Sequence, residues 1–300
     1  MWLPISQPLD LKTTLESGQV FRWEQQKEWW IGFVSGFLVG IREHPGWLQY
    51  ETTLCLGPEF IKQSEHSLDF ENPLARFFRL DDDLSMVHQE LSREPHLALA
   101  IQWAPGLRLL RQEPWECLIS FICSTNSNIS RIAGVVERMA KTFGSRIKLG
   151  DLEKYTFPTP AELARGSEEQ LRTLGLGYRA PYVLRTAKII AEGRLSLESL
   201  LNEDYEVAKD ALLGLPGVGE KVADCVLLFA LEQPTAFPID VWIRRVLEGE
   251  YLLPKNLSYA RLSRWAKEHF GPWAGYAQQY LYYFSRWGGK ITNTEFGNRQ

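Results

Sequence analysis

Across residues 19–52 short apolar runs alternate with polar breaks: QVFRW, WWIGFV, FLVGI and WLQYET are separated by QQKE, SG and REHPG. Runs of this length, rich in aromatic and β-branched residues and bounded by Gly, Ser and Pro, predict an antiparallel meander of strands. After Glu94-Pro95 the apolar positions take up helical spacing. Leu109, Leu110 and the start at Pro114 lead into WECLISFICSTN, where Cys117, Phe121 and Ile122 make one buried stripe. The same spacing predicts helices over 132–143, 160–174, 181–192, 205–213, 221–231, 241–248, 259–269 and 273–286, so that helices run almost throughout as far as Trp287. The expected fold is α+β: an antiparallel β-rich domain over residues 1–98, then a mostly helical domain over 99–300. No internal repeat or low-complexity segment interrupts it.

A chain of 300 residues with 45% hydrophobic content can bury a substantial core. Eleven Trp, eleven Tyr and fifteen Phe serve that core and leave some rings for stacking on bases. The formal net charge of -4 excludes a protein that coats nucleic acid by bulk electrostatics. Its distribution is uneven, however. Residues 51–100 hold ten Asp and Glu against four Lys and Arg, whereas 121–150 hold five Lys and Arg against one Glu, so one face can be basic while another is acidic. Cys55, Cys117, Cys123 and Cys225 show neither a paired extracellular pattern nor zinc-ligand spacing, which fits a reduced intracellular setting. The first residues carry no charged segment followed by an apolar run, and no stretch approaches membrane-spanning length. A soluble protein without export and without a membrane partner is expected.

The most informative stretch is 215–225, LPGVGEKVADC. Pro216, Gly217 and Gly219 suit a tight turn; after them Val222, Cys225, Val226 and Phe229 fall at helical spacing. A helix opened by such a hairpin presents free amides to a phosphate. Lys221 lies on its first turn, Cys225 is four residues on along the same face, and Asp240 follows nineteen residues after Lys221 in AFPID. Hairpin, lysine and aspartate together resemble the helix-hairpin-helix family of DNA glycosylases, and within it the 8-oxoguanine DNA glycosylases. SGQVFRW, FICSTNSNISRIAGVVERM, LGLGYRA and GPWAGYAQQYLYYFSRW occur in that family's order and carry the resemblance over most of the chain.

The resemblance implies a bifunctional glycosylase and abasic-site lyase that flips 8-oxoguanine out of double-stranded DNA. Lys221 would be the nucleophile at C1′, forming a Schiff base, and Asp240 the carboxylate that stabilises positive charge on the sugar while capping the helix that begins VWIRRVLE. Cys225 would pack on one face of the base, Tyr282 would stack on it, and Gln278 would read its Watson-Crick edge. The Gly18 carbonyl would read the hydrogen on N7. Asn126, Arg131, Tyr178 and Arg179 would fill the hole in the duplex and contact the orphaned partner, preferably cytosine. Gly217 and Gly219 would meet a DNA phosphate, beside a monovalent cation on the carbonyls of Leu213, Leu215 and Val218. No cofactor is required. The iron-sulfur cluster of some relatives is excluded, as no Cys follows Cys225. A monomer is expected, in the nucleoid of a bacterium or the nucleus of a eukaryote. Three departures stand out: Tyr282 replaces a frequent Phe, and Trp242 and Ser285 replace a histidine and its supporting aspartate in the animal enzymes. The competing readings are a glycosylase for oxidised pyrimidines, which shares the Lys/Asp pair, and a noncatalytic scaffold that binds DNA through the hairpin.

Overall fold

The computed structural model describes residues 1–53 and 72–288; Cys55 lies outside them. Strands β1 (Trp2–Pro4), β2 (Glu24–Gln26), β3 (Trp29–Val34), β4 (Phe37–His44) and β5 (Trp47–Thr52) form one antiparallel sheet in the order β1-β5-β4-β3-β2. Ser35 and Gly36, with φ of 49° and 78°, close the β3–β4 hairpin in the two-residue form whose twist matches the strands. Trp30, Val34, Val39, Ile41, Leu48 and Tyr50 bury one side of the sheet against helices α1 (Leu11–Leu15) and α2 (Pro73–Phe77).

The sheet corrects one expected strand. QVFRW is irregular, and the strand is the polar EQQ that follows it. The cause is packing: a Cβ on Gly32 would lie 2.2 Å from the Trp23 ring, and that ring also stacks on Phe77 at 5.7 Å. Trp23 therefore folds across β3 instead of pairing with it, and Phe21 turns away to meet the Phe121 ring at 5.6 Å. Edge pairing needs only main chain, which is why EQQ can supply the strand.

Helices α3 (Leu84–Leu91) and α4 (Pro95–Trp103) bury Leu84, Val87, Leu97 and Ile101 in a second core. They share it with α5 (Pro114–Ser124), α6 (Ile129–Phe143), α9 (Ala180–Ala191), α10 (Tyr205–Leu213), α11 (Glu220–Ala230), α12 (Val241–Gly249), α13 (Tyr259–Phe270) and α14 (Ala274–Trp287). Helix α11 runs through the centre of this core, buried from Val222 onward. Arg108, wholly buried, ties the two parts by donating to the carbonyls of Pro8 (2.9 Å) and Arg79 (2.6 Å).

Residues 146–155, RIKLGDLEKY, in a stretch given no helix, form a hairpin of β6 (Arg146–Leu149) and β7 (Leu152–Tyr155). Their alternation has period two, and Gly150 turns the chain at φ 58°. One further expectation fails here: the helix expected over 160–174 is broken into α7 (Pro160–Ala164), α8 (Glu168–Leu171) and a π-turn over Arg172–Leu176. Thr159 and Ser167 each open a helix with a reciprocal capping box, and Gly175 at φ 93° ends the run.

Candidate active site

The hairpin is built on glycine for steric reasons. Gly217 has φ 81°, and a Cβ there would sit 2.7 Å from the Tyr182 Cβ on α9. Gly219 is the N-cap of α11 in extended conformation and offers no capping side chain, so the first amides of the helix are left for an anion. Thr186 of α9 donates to the Pro216 carbonyl at 3.0 Å and holds the turn from behind.

Lys221 is half-buried at the start of α11. Its Nζ donates to Ser124 Oγ at 3.1 Å and lies 4.9 Å from the centre of the Phe121 ring. Among the described residues no carboxylate forms an ion pair with it. Asp240 caps α12: its Oδ1 accepts the amides of Trp242 and Ile243, both at 2.9 Å. Lys221 and Asp240 both act electrostatically on Cys225. Burial pushes the Cys225 thiol up to about 11, with Lys221 pulling it down and Asp240 pushing it further. A buried thiol raised in this way is neutral and no nucleophile.

Of the three residues expected to read the base, the structure brings Tyr282 and Gly18 together. Tyr282 lies within electrostatic reach of both Asp240 and Cys225, and burial raises its phenol. Gly18 touches it: a Cβ on Gly18 would be 3.3 Å from the Tyr282 hydroxyl. Gln278 is 5% exposed, and its Oε1 has no hydrogen-bond partner. A buried carbonyl without a donor carries a desolvation cost of about 1–3 kcal/mol unless a ligand satisfies it.

Asn126, Tyr178 and Arg179 form a second group. Asn126 is exposed with φ 49°, and its amide donates to the Tyr178 hydroxyl at 3.3 Å. Tyr178 is 48% exposed and available to enter a base stack. Arg179 is turned inward: it is 4% exposed and donates to the carbonyls of Thr125 (2.9 Å) and Asn126 (3.1 Å). Arg131 is exposed on the first turns of α6, whose N-cap is Asn128. Leu213, Leu215 and Val218 all lie in the hairpin segment, and the Leu215 carbonyl accepts the Val218 amide at 3.2 Å, leaving its second lone pair. Neutral oxygen donors of this kind suit a hard monovalent cation. Among the described residues no three His, Cys, Asp or Glu are grouped to hold a metal. Trp242 and Ser285 form no polar support: Trp242 lies under Arg245 at 5.5 Å, and Ser285 donates back to the Tyr282 carbonyl at 3.0 Å.

Residues that pattern reading passed over hold these groups in place. Gln19 and Gln279 fix the loop before the sheet: Gln19 Nε2 donates to Ser17 Oγ and the Arg108 carbonyl, both at 2.9 Å, and Gln279 Nε2 to the Ser17 carbonyl at 3.1 Å. Asp224, fully buried on α11, pairs with Lys209 at 3.2 Å and accepts from the hydroxyls of Tyr205 and Tyr259, the latter at 2.6 Å. The Tyr259 hydroxyl in turn accepts the Ile239 amide at 3.2 Å, so the lysine helix holds the residue next to Asp240. The available signal was a charge inside an otherwise apolar helix, three residues from Lys221. Asp224→Ala strands Lys209 in the core and is expected to cost about 3–5 kcal/mol of stability in urea unfolding. A loss under about 1 kcal/mol would show that the network holds little.

Residues 2–118 match the model for the N-terminal domain of 8-oxoguanine DNA glycosylase, and residues 119–271 match that for the HhH-GPD superfamily base excision DNA repair proteins. The chain belongs to the HhH-GPD superfamily. Its HhH-GPD relatives include the N-glycosylase/DNA lyase OGG1 of Arabidopsis thaliana, 34% identical over 94% of this chain and 79% of that protein. The N-glycosylase/DNA lyase of Saccharomyces cerevisiae is 33% identical over 84% of this chain and 71% of its own length. Among solved structures, the Clostridium acetobutylicum 8-oxoguanine glycosylase/lyase, in complex with double-stranded DNA containing cytosine opposite 8-oxoG, superposes with a TM-score of 0.84. It is 30% identical and covers 93% of this chain and 92% of that one. In this HhH-GPD chain the two matched segments meet inside α5, whose C-terminal end supplies Ser124 to Lys221.

Proposed function

We propose that this chain excises 8-oxoguanine from duplex DNA and then cleaves the resulting abasic strand. The observation that carries this reading is the glycine hairpin that opens α11 with Lys221 on its first turn, together with Asp240 at the cap of α12, its Oδ1 held by the Trp242 and Ile243 amides. The base leaves the stack and enters between Cys225 and the Tyr282 ring, paying its unstacking energy through the contacts made there. Gln278 Oε1 gains the donor it lacks. The Gly18 carbonyl accepts the N7 hydrogen of 8-oxoguanine, where the lone pair of guanine N7 would repel it. As the glycosidic bond lengthens, Asp240 opposes the positive charge on the sugar, and the Lys221 amine attacks C1′. The imine permits loss of the 3′ phosphate by β-elimination.

DNA is gripped at the amides following Gly217 and Gly219, with a monovalent cation on the carbonyls of Leu213, Leu215 and Val218 adding positive charge beside the phosphate. Tyr178 wedges into the stack beside Asn126. The enzyme acts as a monomer, without a cofactor, on DNA inside the cell. Cytosine is the preferred opposite base, because its exposed N3 and O2 both accept and Arg131 and Arg179 only donate. Arg179 reaches it by exchanging the carbonyls of Thr125 and Asn126 for those acceptors.

Single-turnover excision on duplexes bearing 8-oxoguanine opposite each of the four bases, with borohydride present, tests the reading. Excision opposite cytosine is expected to exceed that opposite adenine by roughly tenfold, the cost of an unmatched buried donor. Equal rates opposite both would remove the two arginines as readers. Faster excision of oxidised pyrimidines would favour the other glycosylase reading, and DNA binding with no trapped adduct would favour the scaffold.

A further inference from the structure

The hydroxyl that distinguishes Tyr282 from Phe has a dedicated partner. Its oxygen accepts a hydrogen bond from Arg286 Nη1 at 2.9 Å, one turn further along α14. The guanidinium centre lies 5.9 Å from the Tyr282 ring and 5.3 Å from that of Trp287, which keeps it on the outer side of the phenol. On the inner side the ring meets the Gly18 backbone, where a Cβ would be 3.3 Å from the hydroxyl and 3.4 Å from Cε1. Gly18 is in turn fixed by Gln279 through the Ser17 carbonyl at 3.1 Å. The ring is thus held at its tip from two directions.

A ring on a helix that is held only by apolar packing can still turn about χ1 and χ2, and stacking a base on it costs the entropy of stopping that motion. A directional bond to a charged donor at i+4 removes much of that freedom before the base arrives. We infer that Arg286 is a positioning residue for base recognition: it fixes the Tyr282 ring as the standing wall of the slot opposite Cys225, with its hydroxyl close to Gly18. This rests on the function proposed above. Burial raises the Tyr282 phenol, so its hydroxyl stays protonated at neutral pH.

The test compares two activities of the same enzyme. Excision of 8-oxoguanine needs a base in the slot; cleavage of a preformed abasic site does not. Tyr282→Phe keeps the ring and removes the acceptor, and Arg286→Leu removes the donor while keeping an aliphatic stem. In each, the ratio of single-turnover excision to abasic-site cleavage is expected to fall by about three- to tenfold, and the double variant is expected to fall no further than the worse single one. Ratios that do not change, losses that multiply in the double variant, or excision and cleavage falling together would each overturn the assignment, the last by making Arg286 a DNA contact. An unmodified enzyme that cleaves abasic sites but leaves 8-oxoguanine in place would instead refute the substrate reading, whatever the variants do.

Discussion

Lys221→Gln is expected to yield no borohydride-trapped adduct with 8-oxoguanine duplexes or with preformed abasic sites, while specific DNA binding persists. An amide nitrogen cannot condense with C1′ to an imine, so the covalent route closes completely. The phosphate contacts proposed for the hairpin use main-chain amides, which the side chain that follows them does not alter. The fold should survive as well. Lys221 is half-buried, its hydrogen bond goes to one hydroxyl, Ser124, and glutamine can donate to the same atom. Gel analysis after borohydride treatment, beside a binding titration with the same duplex, checks both halves. A trapped adduct at unmodified yield would show that another amine attacks.

Asp240→Asn is expected to slow base excision by about 100- to 1,000-fold while binding to lesion DNA changes little. Asparagine is as good an N-cap as aspartate, so the amides of Trp242 and Ile243 keep an acceptor and α12 keeps its start. What disappears is the negative charge, which matters most as the sugar becomes cationic. The measurement is single-turnover excision against affinity for the same duplex. Should both fall in parallel, Asp240 is a structural cap and the charge has no part in the chemistry.

The helical half was largely legible because its periodicity is strong: the spacing gives 205–213 to the residue, and the ends of 259–269 and 241–248 to within one. The hairpin and both charged residues stood out because two glycines, a lysine and an aspartate interrupt a stretch that is otherwise largely apolar. The QVFRW segment misled because alternation records which side chains are covered, and a segment folded over a sheet is covered as a strand would be. The break at Gly175 was hidden by apolar residues that keep helical spacing through three separate pieces. Arg179 shows the same limit at the site: sequence marks a cation in a loop, but only packing reveals that its donors are already engaged by Thr125 and Asn126. The Asp224 network joins residues from α10, α11 and α13, and no local pattern contains all of them.

The hold of α9 on the hairpin has a metric consequence. Thr186 and Tyr182 grasp the Pro216-Gly217 turn, and Tyr178 stands just before the first turn of that same helix. Eight residues of nearly continuous helix separate Tyr178 from Thr186, roughly 12 Å. On the function proposed above, α9 is a caliper whose jaws are the clasped phosphate and the opened base pair, so that where the strand is pinched would determine which nucleotide is levered out. Inserting one residue into α9 would swing one jaw about 100° relative to the other, and an enzyme with every chemical group intact would then pry at the wrong step.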